Sequence, residues 1–286
     1  MVVDDYLRRH DGVITLAQAQ HAGLSRHSAG RRVRDGRWRR CSPGVFFADD
    51  RPFTDAARVR AAVWGYGPEA AASGLAAAWW HGLTKFAPDV VEVTVPRTSH
   101  HPHRAGIRMR RRDLTRSDIV ERNGLRITEL ALTVVEAAVR KRGGSVLMDS
   151  ALQRQVELRD LWRAHLRNTG RHGSTAARRL LQSAHDGARS EAERLFVQLL
   201  RQADIEGWRT NYPIGGYRID VAFPDQKVAI EVDGWAFHNT PEVFVKDRNR
   251  QNTIALLGWK VLRFTWFDLT EYPQRVIAEI KHALSQ

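Results

Sequence analysis

The alternation of apolar and polar positions divides the chain into stretches of different period. Near the start, Tyr6 and Leu7 predict a short first helix, and Gly12-Val-Ile-Thr15 ends in a residue suited to cap a second helix over Leu16–Ala22. Gly23-Leu-Ser25 reads as a turn, with Ser25 capping a third helix from Arg26 to about Asp35 and Gly36 stopping it. Trp38–Phe47, broken at Pro43-Gly44, predicts a β-hairpin, so residues 4–47 read as a winged helix-turn-helix. Residues 54–86 are Ala-rich and helical, anchored by Trp64, Trp79, Trp80 and Leu83. Val90–Val95 alternates like a strand, Ile107–Leu114 reads as another, and Ile119–Ile127 is a hairpin turned at Asn123-Gly124. An amphipathic helix over Leu130–Val139 and helical sequence over Met148–Leu181 follow, with a loop at 168–174.

The second half has a different rhythm. A helix over Ser190–Ala203, with Ser190 as N-cap, carries the stripe Leu195, Phe196, Leu199 and Leu200. Strands Tyr217–Phe223 and Val228–Asp233 flank a turn at Pro224-Asp225. A helix from Pro241 to Leu257 is stopped by Gly258, strand Trp259–Trp266 alternates strictly, and a last helix packs Val276, Ile277, Ile280 and Leu284. Acids interrupt the apolar strands at Asp220, Glu231 and Asp233. Alternation places Glu231 and Asp233 on one face and Ile230 and Val232 on the other. A buried carboxylate needs a partner, and a hard divalent cation is one. A solvated acid near a turn is the competing reading, and fits Asp233 before Gly234 equally well. Glu191 and Glu193 suit the first turn of their helix through its dipole; alternatively Glu193 points toward Asp220. Asp247 and Arg250 share a helical stripe with Val243, Ile254 and Leu257, so they pair or reach a site.

Composition adds a partner class. The chain has 286 residues, 43% hydrophobic and 27% charged, which predicts a soluble protein long enough for two domains; the predicted elements make it mixed α/β (α+β). Its net charge of +13 favours a polyanion, nucleic acid ahead of membrane. No apolar run is long enough to span a bilayer and none before Asp4 resembles a leader, so a cytoplasmic, nucleoid-associated protein is expected. A single cysteine, Cys41, excludes an intramolecular disulfide and a cysteine zinc cluster. The third helix and wing hold Arg26, His27, Arg31, Arg32, Arg34, Arg37, Arg39 and Arg40 against the single acid Asp35, a charge pattern suited to a DNA groove and backbone ahead of a solvated basic face on an ordinary helical hairpin. Arg108, Arg110 and Arg112 would share a strand face as a second basic patch, or as a solvated edge. His100, His101 and His103 sit in a loop-like stretch with Pro102, better suited to solvent or phosphate than to a metal.

Two resemblances extend this reading. The wing ending SPGVFF (42–47), the helical SGLAAAWWHGL (73–83) and the strand VEVTVPR (91–97) resemble AbiEi-like antitoxin and repressor proteins of type IV toxin–antitoxin systems, over roughly residues 1–165. That implies a DNA-binding transcriptional autoregulator. Further on, AER (192–194), RIDVAFP (218–224), AIEVDG (229–234), His238, DRNR (247–250) and GWKVLRFTW (258–266) resemble the PD-(D/E)XK nuclease fold, in its branch similar to very short patch repair endonucleases, over about residues 186–285.

The second resemblance implies an αβββαβα core and a Mg²⁺ (or Mn²⁺) ion held by Asp220 and Glu231 with the Val232 carbonyl. Glu193 would assist, Asp233 and His238 would serve the water or leaving group, and Arg248 or Arg250 would offset charge on the phosphate. Asp233 stands where most of that superfamily has a lysine. The expected domains are 1–52 (winged helix), 53–170 (mixed α/β) and 186–286 (nuclease-like). The expected function is a metal-dependent DNA endonuclease or nickase; the alternative is an antitoxin-like repressor whose nuclease fold is inactive. DNA is the expected partner. A homodimer and a cognate toxin or repair protein are further partners that the resemblances imply.

Overall fold

The computed structural model describes residues 2–233 and 241–285, without the side chains of residues 188, 233 and 241–247. The chain divides into two compact units, Met1–Leu180 and Leu181–Gln286.

The first unit begins with α1 (Val3–Arg9), β1 (Val13–Thr15), α2 (Leu16–His21), α3 (Arg26–Arg34), β2 (Trp38–Ser42) and β3 (Val45–Ala48). The expected caps form. Thr15 Oγ1 accepts from the Gln18 amide at 3.2 Å while Gln18 Oε1 accepts from the Thr15 amide at 2.9 Å, and Ser25 Oγ accepts from the Ser28 amide at 3.1 Å. The wing is a hairpin of β2 and β3, but β1 adds a strand that its own pattern did not predict, pairing Val13 with Phe47. Leu7, Ile14, Ala19, Ala29, Trp38 and Phe46 close the core beneath.

After α4 (Asp55–Trp64) come β4 (Ala71–Ala72), α5 (Gly74–His81), β5 (Val91–Val95), β6 (Ile107–Arg111), β7 (Ile119–Arg122) and β8 (Leu125–Thr128). These strands form one sheet in the order β6-β5-β4-β8-β7. The Asn123-Gly124 turn takes positive φ at both residues (52° and 68°), as a tight hairpin requires. The helices α6 (Leu130–Arg140), α7 (Gly144–Arg154) and α8 (Leu158–Arg167) complete this part. β5 is buried along its whole length, so Glu92 and Thr94 are enclosed with Val91, Val93 and Val95. Arg60 on α4 is 1% exposed. Its Nε donates to Asp11 at 2.9 Å, its Nη groups donate to the carbonyls of Asn123 and Gly124, and its guanidinium lies between Trp64 and Trp80.

The second unit takes most of α9 (Ser174–Gln202), then β9 (Arg209–Ile214), β10 (Tyr217–Phe223), β11 (Val228–Asp233), α10 (Pro241–Leu256), β12 (Lys260–Thr265), α11 (Trp266–Glu271) and α12 (Pro273–Leu284). The expected start of a helix at Ser190 is corrected: α9 begins sixteen residues earlier and passes through Gly187 without breaking. Ser190 is therefore mid-helix, and Glu191 and Glu193 are not in a first turn, so the dipole explanation for them falls. The sheet order is β12-β11-β10-β9, antiparallel between β9, β10 and β11 and parallel between β11 and β12. Val221, Phe223, Val228, Ile230 and Val232 pack with Ala192, Phe196 and Leu200 of α9 and with Val276 and Ile280 of α12. Ala222 and Ala229 pack with Ile254 of α10. Leu257, expected on the buried stripe of α10, is instead 47% exposed just past the helix end.

Candidate nuclease site

The register of β10 against β11, Val221↔Ile230 and Ala222↔Ala229, sets Asp220 opposite Glu231. Their strands' other parity, carrying Val221, Ile230 and Val232, is committed to the core, so both acids emerge on the same side of the sheet. Both are buried, 8% and 4% exposed. Asp220 Oδ2 accepts from the Val232 amide at 2.9 Å, and Asp220 Oδ1 pairs with Arg189 Nη2. Arg189 Nε also holds Glu193 Oε1 at 2.9 Å, which brings Glu193, half-buried on α9, to the edge of the same cluster. Glu231 accepts from Arg263 Nη2 at 2.8 Å on one oxygen and lies 2.6 Å from Arg250 Nη2 on the other. Arg263 reaches it because β11 and β12 pair Glu231 with Arg263 directly. Arg250 also donates to the Arg218 carbonyl at 2.8 Å.

Each acid is thus held by a guanidinium. Burial depresses the pKa of Arg189, but Asp220 and then Glu193 outweigh it and hold that guanidinium above its ordinary value. The donor chemistry fits a hard divalent cation, because two enclosed carboxylates stand side by side and offer only oxygen. The arginines now occupy those oxygens, so a cation and the guanidiniums compete for them. Among the described residues, no group of three His, Cys, Asp or Glu is placed to hold a metal. Two expected participants cannot be placed in that geometry. His238 lies outside the described residues, and of Asp233 only the backbone is described, paired with Thr265. The side chain of Asp247 is likewise outside them.

The predicted site residues therefore separate into groups. Asp220, Glu231, Glu193 and Arg250 come together, while Arg248 is exposed on α10. Sequence reasoning missed Arg189 and Arg263. A signal existed for each: Arg263 shares the parity of Val261 rather than of core-facing Phe264, and Arg189 stands four residues before Glu193 on one helix.

In the first unit, Arg26, His27, Arg31, Arg34, Arg37, Arg39 and Arg40 are exposed on α3 and the wing, as a nucleic-acid surface needs. Arg32 is half-buried with its guanidinium 5.2 Å from the Trp38 ring, and Arg39 stacks on Phe53 at 4.6 Å. His100 and His103 are exposed and His101 is edge-on to Tyr66, which suits the loop reading.

Comparison with known proteins adds two family matches. Residues 1–46 match a family described as transcriptional regulator, AbiEi antitoxin, and residues 193–284 match the restriction-endonuclease-like family REase_MTES_1575. Two uncharacterized proteins of Mycobacterium tuberculosis, MT2308 and Rv2248, are each 28% identical over 172 residues, covering 57% of this chain. The chain spans 64% of the length of these relatives. Among solved structures, the catalytic domain of homing endonuclease I-Bth0305I aligns over 32% of this chain and 91% of its own, at 22% identity and a TM-score of 0.28. The Rv2827c protein of Mycobacterium tuberculosis aligns over 63% of this chain and 75% of its own, at 19% identity and a TM-score of 0.39.

Proposed function

We propose that this chain, which joins an AbiEi-type N-terminal region to a restriction-endonuclease-like C-terminal domain, is a DNA-binding endonuclease or nickase that hydrolyses phosphodiester bonds with a divalent cation. The observation that carries this reading is the burial of Asp220 opposite Glu231 on neighbouring strands. Asp220 and Glu231, with the Val232 carbonyl, would hold Mg²⁺ or Mn²⁺, whose chemistry is to polarise a phosphodiester and acidify a water. Asp220 is oriented by the Val232 amide, and Glu231 by the β11–β12 register. Arg250 and Arg263 have the fork geometry that phosphate oxygens accept, so they bind the backbone when Glu231 is engaged elsewhere. Glu193 positions Arg189. Asp233 and His238 are the candidates for the water and leaving-group protons. The exposed arginines of α3 and the wing dock DNA. No helix among the described residues is long and apolar enough to cross a membrane, and we place the protein with DNA in the cytoplasm.

The test is nicking of supercoiled plasmid in Mg²⁺ or Mn²⁺. The wild type should cut, and Asp220→Asn and Glu231→Gln should each lose on the order of a thousandfold in rate. Cleavage that survives both substitutions would sink the site assignment. The match of residues 1–46 to a transcriptional regulator favours one second reading. If the wild type binds DNA but cuts no duplex, the nuclease fold is a platform in a repressor.

A further inference from the structure

The basic strand β6 does not end in solvent. It runs parallel to β5 with Glu92↔Arg108 and Thr94↔Arg110 in register, and Arg112 continues it by donating its amide to the Val95 carbonyl at 2.9 Å. Arg108, Arg110 and Arg112 share a face, and that face meets two enclosed acids. Glu92 Oε1 lies 3.0 Å from Arg110, 3.4 Å from Arg140 of α6 and 3.6 Å from Arg108. Glu136 Oε1 contacts Arg112. The other oxygen of each acid already serves α5: Glu92 Oε2 accepts from the Leu75 amide at 2.8 Å and Glu136 Oε2 from the Gly74 amide at 3.3 Å. A Cβ at Gly74 would stand 2.0 Å from Glu92 Oε2, so the glycine there is required by the carboxylate.

The charges do not cancel. Arg108, Arg110 and Arg140 meet Glu92 and Arg112 meets Glu136, four cations against two anions, a surplus of +2; Arg171 stands near Glu136 and Asp118, and Asp118 is already paired with Arg167. Burial lowers the pKa of the Arg171 guanidinium; Glu136 opposes this, while Arg112 and Arg110 add to it. Donors are also left over. Nε and Nη1 of Arg112 and Nη2 of Arg171 are enclosed and have no hydrogen-bond partner, and Nη2 of Arg112 meets only Glu136 Oε1. Arg60, in the same unit, shows the contrast, because all three of its nitrogens meet an acceptor. Enclosed cations and donors without counterparts are costly and call for an anion. The Arg110 and Arg112 side chains keep 18% and 13% of their surface exposed, so the cluster reaches solvent.

We propose that Arg112 and Arg171, flanked by Arg110 and Arg140, form a binding site for a small dianion bearing a phosphate group, separate from the DNA surface and the nuclease site. A phosphate monoester matches the surplus in charge, and its oxygens accept guanidinium forks in pairs. The enclosed donors favour a terminal phosphate on a small molecule over the backbone of a duplex.

Inorganic phosphate is the probe, titrated into the full-length chain at ionic strength held constant with chloride. The expected result is a saturable rise in the melting midpoint of the first unit, roughly 5 °C. Saturation separates it from the general stabilising effect of phosphate salts, which grows without limit. Arg112→Met with Arg171→Met should abolish the rise. Should that pair fail to fold, Arg112→Lys with Arg171→Lys keeps the charge, loses the forks and should weaken the apparent affinity at least about tenfold. No saturable rise in the wild type, or an undiminished rise in the variants, overturns the site. Two further arms distinguish the source of the phosphate. A nucleoside monophosphate and glycerol phosphate should reproduce the shift, and duplex DNA binding should be indifferent to phosphate and to the Lys variants. If DNA binding falls in both cases, the cluster is a backbone contact and the small-molecule site is overturned.

Discussion

Two clusters in this chain use the same two residue types to opposite ends. In the first unit, Glu92 and Glu136 face Arg108, Arg110, Arg112 and Arg140, with Arg171 near Glu136, and donors are left over. In the second, Asp220, Glu231 and Glu193 face Arg189, Arg250 and Arg263, three against three among the described side chains. Each cluster joins neighbouring strands of a sheet to a helix packed on it and encloses two acids. The surplus in the first cluster is a deficit of negative charge, which only an added anion removes. The balance in the second means that an added cation enters by exchange, releasing guanidiniums from carboxylates. The ligand proposed for each cluster therefore follows from the arithmetic of its charges, and acids alone do not reveal it.

The largest expected effect separates a buried arginine whose three nitrogens all meet acceptors from one set among surplus cations. Arg60→Met removes a side chain that is 1% exposed and pairs with Asp11, and it leaves that acid and two carbonyls without their donor. Breaking such a pair costs about 3–5 kcal/mol. Arg112→Met in chloride breaks the contact with Glu136 but also removes part of a surplus of positive charge, so it should cost less, about 1–2 kcal/mol. Urea unfolding followed through the first unit compares the two. Equal losses would show that Arg112 is as fully compensated as Arg60, and the contrast between the clusters would break.

The next effect is the part of the pH dependence that His165, beside the surplus cluster, contributes. His165 on α8 is 3% exposed, and burial, then Arg171 and Arg178, push its pKa down to about 4. The unfolded value is about 6.5, so the folded value is the lower one. Between those values the unfolded chain takes up a proton that the folded chain refuses. Stability is therefore complete above about pH 6.5 and is lost on acidification toward pH 4, by up to about 3 kcal/mol in all. His165→Phe should flatten this slope in urea titrations from pH 7 to pH 4.5. Phosphate bound at Arg171 should make it shallower in the wild type, since an anion there offsets the cations that depress the imidazole. A slope untouched by His165→Phe would assign the acid sensitivity to other groups.

How much of this was legible differs along the chain, for physical reasons. The caps at Thr15 and Ser25 and the turn at Asn123-Gly124 are local chemistry, readable because the residues that make each hydrogen bond or positive φ are within three positions. The faces of β10 and β11 were legible because alternation alone assigns them. β1 and β4 were not, because strands of three and two residues carry no period and exist through partners far along the chain, Phe47, Thr94 and Ile127. The start of α9 was misplaced because Ser190 offers a good cap chemistry that the longer helix overrides. The three acids drew attention in the sequence, but their arginine partners did not. Arg189 and Arg263 come to Asp220 and Glu231 through helix placement and parallel register, which pairwise spacing does not encode.

The comparison is tested most finely by removing one charge from the balanced cluster. Glu231→Gln keeps the shape of the side chain but no longer neutralises Arg250 and Arg263, which now meet it at 2.6 and 2.8 Å. The charge of those guanidiniums is then no longer neutralised by a carboxylate, and phosphate can meet it. In the absence of any divalent cation, DNA affinity should rise by up to about tenfold, and the dependence of log affinity on log salt should steepen by about 1, the signature of one more phosphate contact. Fluorescence anisotropy with a labelled duplex in EDTA measures both quantities, and neither depends on cleavage. The same substitution in the other cluster, Glu92→Gln, should leave both unchanged, since its arginines are already in surplus and serve a different anion. If Glu231→Gln leaves affinity and salt slope as they were, Arg250 and Arg263 are fixed to the sheet for structural reasons. Cation entry would then have to proceed without exchanging them, and the balance of charge in the second unit would say nothing about its ligand.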